Sequence, residues 1–566
     1  MYPVPRKQKQ EPSNQNLIRK HIKQQKKKEL LKGKHYEKAN PLTRNITKRL
    51  PLPRILHHID RKMKHNGLVA VITWFMVFGF TLCAPPQLTY EQARQAVLAA
   101  ERKLMIGGSV LLSPKEIAVN KILLEAKRAE IEKGQEDLSR FPPATHFFKV
   151  KPIIEASNVF KIIKKMPKGA LLHAHNSAMV SSEWFIKNIT YRSGIMKCVN
   201  RNGVVLFTFR RNPQLGCKTF IYIQDERAGV PDVETYDKEL EKNINLYTPT
   251  PEVDYPDIGV VWNKFQNMFD TVGDALLYKP VFEAYHYQLF KEMHDDGVIY
   301  IELRTSFPSL YDYTNNKTIS AASVLLDVID NFKANNPNFY GVKIIFSTGR
   351  NSPPATIAER FQTFKYFFAK YPKLVIGFDL VGQEDLGHPL FDFVEELQNR
   401  PPDSHFFFHA GETNQFGSTD LNILDAVLLN TTRIGHGYSL FKHPVVWHAA
   451  KKRGIAVEIN PLSNQVLKLV WDLRNHPAVF YISQNFPVVI SNDDPGFWNA
   501  KGVSYDYYYA FMSFFPNEAG LNVLKQLAWN TLKYSSLKDN EKLQVTRIFE
   551  RMWEKFLNDI LAGTFQ

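Results

Sequence analysis

The sequence predicts an α/β fold, a (β/α)8 TIM-type barrel, on three observations. Short apolar runs recur between longer helical stretches: Ala170–His175, Val298–Arg304, Val342–Ser347, Leu374–Leu380, His405–His409, Arg433–His436, Ile455–Asn460 and Val488–Asn492. They are too uniformly apolar for half-exposed strands, so their alternation with helices implies a parallel sheet covered on both faces. Polar groups close several of these runs: His173 and His175 the first, His409 the fifth, His436 the sixth, Asp493 and Asp494 the eighth. A barrel of this class gathers its working groups where the strands end on the carboxyl-terminal face.

The chain before the barrel divides by composition. The net charge of +16 over 566 residues suggests nucleic acid until it is located. Residues 1–65 carry 19 Lys+Arg against 4 Asp+Glu, and the remainder is nearly neutral. The basic leader is expected to be disordered, and a nucleic-acid partner is not expected. Gly67 to Ala84 contains no charge, so residues 66–84 read as a signal peptide or an uncleaved anchor, with Met63 as an alternative start. Either way the large domain is exported: secreted, or held as a type II membrane protein with its folded part outside.

Residues 85–150 read as helical. Thr89–Gln92 and Ser113–Glu116 are capping boxes, the second with Pro114 at the first helical position. A helical unit without a site of its own serves interaction or pads the core. The barrel is expected over 151–566, with an insert at 185–255 after the first strand. Apart from Cys83 in the export segment, only Cys198 and Cys217 remain, which suggests one disulfide inside that insert and excludes a cysteine-based metal site. Sequons at Asn188, Asn316 and Asn430 fit a glycosylated surface.

The strand-end groups have a shared chemistry. A single histidine at such a place is ordinarily structural, but several polar groups converging there are not. His173, His175, His409 and Asp493 offer three imidazoles and a carboxylate, a set suited to one zinc ion with an open position. Zinc activates water near neutral pH. His436 is placed as a base or an orienting group for that water. Glu412, three residues past His409, can give a proton to a ring nitrogen, and Asp494 can accept a hydrogen bond from another. These parts fit addition of water to an electron-poor ring carbon with loss of an amine.

The segments MPKGALLHAHNSA, YIELR, GFDLVGQED, FFHAGET, RIGHG, INPLSNQVL and ISNDDPG resemble the adenosine deaminases. With the helical prefix, the insert and the export segment, the chain is similar to the extracellular branch, the adenosine deaminase-related growth factors. The resemblance implies zinc on His173, His175, His409 and Asp493, proton donation to the purine by Glu412, proton acceptance from water by His436, and purine contacts by Asp494 and the backbone of Gly382. It implies a substrate lid at Trp262 and a homodimer through 85–150, with a cell-surface receptor or glycan as further partner. Glu302 and Arg304 read as a structural ion pair. One departure stands at Ser347 to Asn351, where no histidine follows the third strand, so the sugar contacts should differ. The expected function is a secreted adenosine deaminase that limits extracellular adenosine, with growth-factor-like effects. Two alternatives are a receptor ligand in which catalysis is incidental, and a deaminase of another purine nucleoside.

Overall fold

The structure, a computed structural model, describes residues 88–313 and 318–565. The leader, the export segment and Asn316 lie outside the described residues.

Eight parallel strands form the barrel: β1 (Gly169–Leu171), β2 (Val298–Thr305), β3 (Gly341–Gly349), β4 (Val375–Val381), β5 (His405–Phe406, resuming at His409–Ala410), β6 (Arg433–His436), β7 (Ala456–Ile459) and β8 (Val488–Ile490). Each pairs in parallel with the next. The break in β5 is bridged, since Phe407 N donates to Phe378 O at 3.2 Å and Gly435 N donates to Phe408 O at 2.8 Å. The sheet closes beyond the formal ends of β1 and β8. There Asp493 N donates to His173 O at 3.3 Å, and His175 N donates to Asp493 O at 3.2 Å. The closing hydrogen bonds therefore run through three residues expected at the site.

The strands are apolar because both faces are covered. Every residue of β2 from Val298 to Arg304 is buried, as are all of β6, β7 and β8. The barrel interior nevertheless holds Glu302, Arg304, Asp379, Arg433 and Glu458, none more than 1% exposed. Charges survive there only when paired. Arg433 Nη2 donates to Glu302 Oε2 and its Nε to Glu458 Oε1, both at 2.6 Å. Arg304 donates to Asp379 Oδ2 at 2.6 Å and to Glu458 Oε2 at 2.7 Å. The expected Glu302–Arg304 pair is corrected: the two side chains share a face but take different partners. Arg304 lies nearer the mouth of the barrel, where the carboxylates that support the histidines are.

Two helices precede the barrel, α1 (Tyr90–Leu104) and α2 (Pro114–Glu136). The capping box at α2 is complete: Ser113 Oγ accepts from Glu116 N, and Glu116 Oε2 accepts from Ser113 N at 2.8 Å. This helix buries Val119 and Leu123, and Trp553 Nε1 donates to Glu116 at 2.9 Å. In contrast, α1 buries no residue and exposes Tyr90, Val97 and Leu104 along one side. The helical prefix thus has one helix built onto the barrel and one that is not.

Between β1 and the helix α3 (Ile258–Leu276) lies the insert. Its antiparallel strands Met196–Val199, Val205–Thr208 and Ile221–Tyr222 form a three-stranded sheet, followed by helices Ile223–Gly229 and Val233–Glu241. The disulfide Cys198–Cys217 spans 19 residues, with its Cα atoms 6.0 Å apart. Around it Val204, Leu206, Leu215 and Phe220 make a small apolar cluster of their own. Among the described residues no helix is long and apolar enough to cross a membrane.

Candidate active site

The strand ends bring the predicted groups together at the carboxyl-terminal mouth. His173 Nε2 is 3.1 Å from Asp493 Oδ1 and 3.3 Å from His175 Nε2. His175 Nε2 is itself 3.0 Å from Asp493 Oδ1. Ligand atoms of His173, His409, His436 and Asp493 all lie within 4.8 Å of one another. The chain achieves this partly through strained backbone: His436 and Asp493 have φ of 57° and 58°, a left-handed conformation costing about 1–3 kcal/mol for residues with a Cβ. That strain turns each side chain inward at its strand end.

The donor set passes a chemical test for a metal. His173 Nδ1 lies 2.7 Å from Glu458 Oε2. Burial opposes ionisation of Glu458, but Arg304 and Arg433 beside it hold its carboxyl well below the usual range. An ionised carboxylate only accepts, so His173 donates from Nδ1, and its Nε2, facing Asp493, is the atom that would meet a metal. His409 Nδ1 likewise lies 2.6 Å from Asp379 Oδ2, a carboxyl that burial pushes up while Arg304, donating to it at 2.6 Å, works the other way. Burial pushes His409 and His436 well below the ordinary imidazole value, and it lowers His175 too, so the rings are neutral as ligation requires. Asp493 is ionised: burial works against it, and the neighbouring His173 holds it well below the carboxylate range.

The orientation of His436 follows from a buried relay. His476 Nδ1 accepts from Ala478 N at 2.9 Å, and a backbone N–H cannot reverse its role. The His476 ring is neutral, burial lowering it to about 3, so its Nε2–H donates to Asn464 Oδ1 at 2.9 Å. Asn464 Nδ2 then donates to His436 Nδ1 at 3.1 Å. The proton of neutral His436 is therefore on Nε2, directed toward Asp493 Oδ2 at 3.7 Å.

A cavity of about 450 Å³ opens above this centre, lined by Trp262, Phe265, Gly382, Glu412, His436 and Asp494 among others. Trp262 and Phe265 come from α3, which forms one wall. Gly382, with φ 97°, meets nothing within 4 Å where a Cβ would stand, so its backbone is open to the cavity. Burial pushes the carboxyls of Glu412 and Asp494 well up, and the negative charge of Asp493 adds to both. Glu412 Oε1 and Asp494 Oδ1 are buried without a hydrogen-bond partner. Both carboxyls thus keep unused hydrogen-bonding capacity beside the histidine cluster. At the end of β3, where the sequence lacks a histidine, Gly349, Asn351 and Ser352 border the cavity. A second space of about 450 Å³ shares Gly349 and Ser352 and is lined by the hydroxyl-bearing residues Ser177, Thr305 and Thr348.

Other predicted positions lie apart. Cys198 and Cys217 are in the insert, and Asn188 and Asn430 are exposed on the surface. Sequence reasoning missed Asp379, Glu458, Asn464 and Glu384. The signal for the first two was present: an acid inside an apolar strand has no bland explanation.

Comparison with known proteins gives a consistent picture. The family described as Adenosine deaminase matches residues 243–551, and that described as Adenosine/AMP deaminase N-terminal matches 72–163. Adenosine deaminase 2 of Homo sapiens is 41% identical over 482 residues, covering 84% of this chain and 94% of the relative. An adenosine deaminase of Lutzomyia longipalpis is 41% identical over 480 residues, with the same shares. Among solved structures, an amidohydrolase from Burkhoderia ambifaria with bound Zn has a TM-score of 0.50 at 16% identity, over 72% of this chain and 95% of that one, a likeness of fold.

Proposed function

The chain belongs to the adenosine deaminase family, and from that premise we propose that it is an exported, zinc-dependent adenosine deaminase. It converts adenosine to inosine, and 2′-deoxyadenosine to its deoxyinosine counterpart, with release of ammonia. One observation carries the reading: Glu412 and Asp494, their carboxyls pushed up by burial, face the same cavity as the converging imidazoles.

Zinc held by His173, His175, His409 and Asp493 supplies the activation of water. Glu412 enters protonated and gives its proton to purine N1, which makes C6 electrophilic. Asp494, also protonated, donates to a second purine nitrogen rather than accepting from it. The relay behind His436 favours the orienting role over the base: its Nε2–H directs the attacking oxygen toward C6. Water adds through its oxygen to C6; one of its protons passes to the amine, the C6–N bond breaks and ammonia leaves, while the other proton restores the Glu412 carboxyl. Gly382 admits the purine close to backbone, Trp262 and Phe265 shield it from bulk water, and the second space, bordered by hydroxyl-bearing residues, suits a sugar.

The exposed stripe on α1 and the covalent staple in the insert support an extracellular homodimer, glycosylated at Asn188, Asn316 and Asn430, whose effect on cells follows from lowering adenosine. Light scattering of the mature protein with and without 85–150 tests the dimer. The deciding experiment is metal analysis and an inosine assay on one sample of exported protein. One zinc per chain is expected, with adenosine and 2′-deoxyadenosine outranking adenine, guanosine and cytidine. A fully zinc-loaded sample that releases no ammonia from adenosine ends the proposal.

A further inference from the structure

Glu384 is a buried acid that the reaction above does not use. It is 2% exposed and opens a short 3-10 turn, Glu384–Leu386, two residues after Gly382. Its Oε1 accepts from Glu412 N at 2.7 Å, and its Oε2 accepts from Gly411 N at 3.0 Å. Asn422 Nδ2 donates to the same Oε2 at 2.7 Å. Arg350 Nη1 stands 3.8 Å from Oε2, while its Nη2 donates to His409 O at 2.7 Å.

Two consecutive backbone N–H groups point at one carboxylate only if the chain turns sharply between them. Gly411 makes that turn with φ 77°, and a Cβ there would stand 2.2 Å from Ile423 Cδ1. The next residue binds the same way: Asp385 Oδ1 accepts from Thr413 Oγ1 at 2.6 Å. The segment carrying Gly382, the purine floor, is therefore fastened to the segment carrying the acid. The Glu412 side chain makes no hydrogen bond through Oε1, whose neighbour His436 Nδ1 stands 3.4 Å away, so its backbone carries much of its aim.

We infer that Glu384 is a positioning residue, a two-oxygen clamp on the Gly411–Glu412 peptide that sets the distance between the proton donor and the floor on which the purine lies. This rests on the proposed deaminase reading. An acid displaced by about 1 Å can cost about a hundred-fold in rate while substrate still binds, so the loss falls on turnover and not on affinity.

The test compares Glu384→Ala and Glu384→Gln in the zinc-loaded full-length protein, with adenosine as substrate. Alanine removes both acceptors and is expected to lower kcat about a hundred-fold, with KM within about three-fold and zinc content unchanged. Glutamine keeps one acceptor oxygen and should recover about ten-fold of that loss. The idea is overturned if kcat falls less than three-fold, if KM rises as much as kcat falls, or if lost activity tracks lost zinc or lost folded protein. Should neither variant fold, Asn422→Ala removes one donor to the clamp and should show the same split at about ten-fold; unchanged kcat there also overturns it. Inactive wild-type protein would instead count against the deaminase reading itself.

Discussion

The barrel mouth and the disulfide-bearing insert are two ways of holding a piece of chain in place. At the mouth three of the imidazoles have a charged or polar group behind them: Glu458 behind His173, Asp379 behind His409, Asn464 behind His436. The insert relies on a covalent staple with a small apolar cluster around it, on side chains such as Phe207, Phe209, Ile223 and Leu240 that it buries in the main core, and on ion pairs at its edge. Its Asp237, for example, takes Lys187 and Tyr191 at 2.7 Å and Arg227 Nε at 3.0 Å. Low-dielectric burial makes each charge at the mouth indispensable to its neighbours, whereas the insert reaches the cavity at second hand, through α3, whose Asp274 accepts from Thr208 Oγ1 at 2.6 Å and from Arg210 Nε at 2.7 Å.

Four substitutions sharpen or break that contrast, taken from the largest effect down. Glu412→Gln removes the proton donor and should lower kcat by about a thousand-fold with zinc retained; residual turnover near the wild-type rate would remove Glu412 from the reaction. If the same protein keeps full mitogenic activity on cells, the receptor-ligand alternative gains. Glu458→Gln frees His173 from its carboxylate and leaves Arg304 and Arg433 short of a partner. Zinc affinity should drop about 10–100-fold and stability by about 3–5 kcal/mol, measured by competition with a chelator and by denaturant unfolding. Equal zinc affinity in the variant would mean that the support behind the ring is dispensable.

Cys198→Ser belongs to the other side of the comparison. Opening a loop of this length should cost the insert about 3 kcal/mol, visible as faster hydrogen exchange in its strands, with kcat within two-fold. A large loss of kcat would show that the insert and the mouth are not independent. The smallest effect concerns acid. Burial opposes the ionisation of Asp237, but its partners Lys187, Tyr191 and Arg227 outweigh it and lower its pKa. A carboxyl lowered on folding contributes stability above its unfolded value, about 4, and loses it as pH falls through the folded value. Exchange protection in the insert should therefore weaken as pH drops below about 4, and Asp237→Asn should flatten that dependence. If the variant keeps the full acid response, other carboxylates carry it.

Much of this was legible from the chain alone. Apolar runs of strand length reported the barrel because burial on both faces is a local property of composition. The histidines and Asp493 stood at run ends, where a (β/α)8 barrel places its working groups, so their convergence needed no coordinates. The assignments that failed or were missed have a common cause. Glu302 and Arg304 are two apart and looked like a pair, yet across the barrel Arg433 and Glu458 offer better geometry. Asp494 reads as an acceptor from its residue type; burial beside Asp493 pushes its carboxyl up, which no stretch of sequence displays, and the proposed reaction gives it the donor's part.

The sequence by itself determined which segments become strands, where they stop and which reactive side chains stand at those stops, since hydrophobic patterning and backbone preference act over a few neighbouring residues. Tertiary structure decided who holds whom: the carboxylates behind the imidazoles, the Nε2 proton of His436 and the clamp of Glu384 on Glu412. Those choices depend on distances between strands far apart in the chain and on a low dielectric that exists only once the barrel has closed.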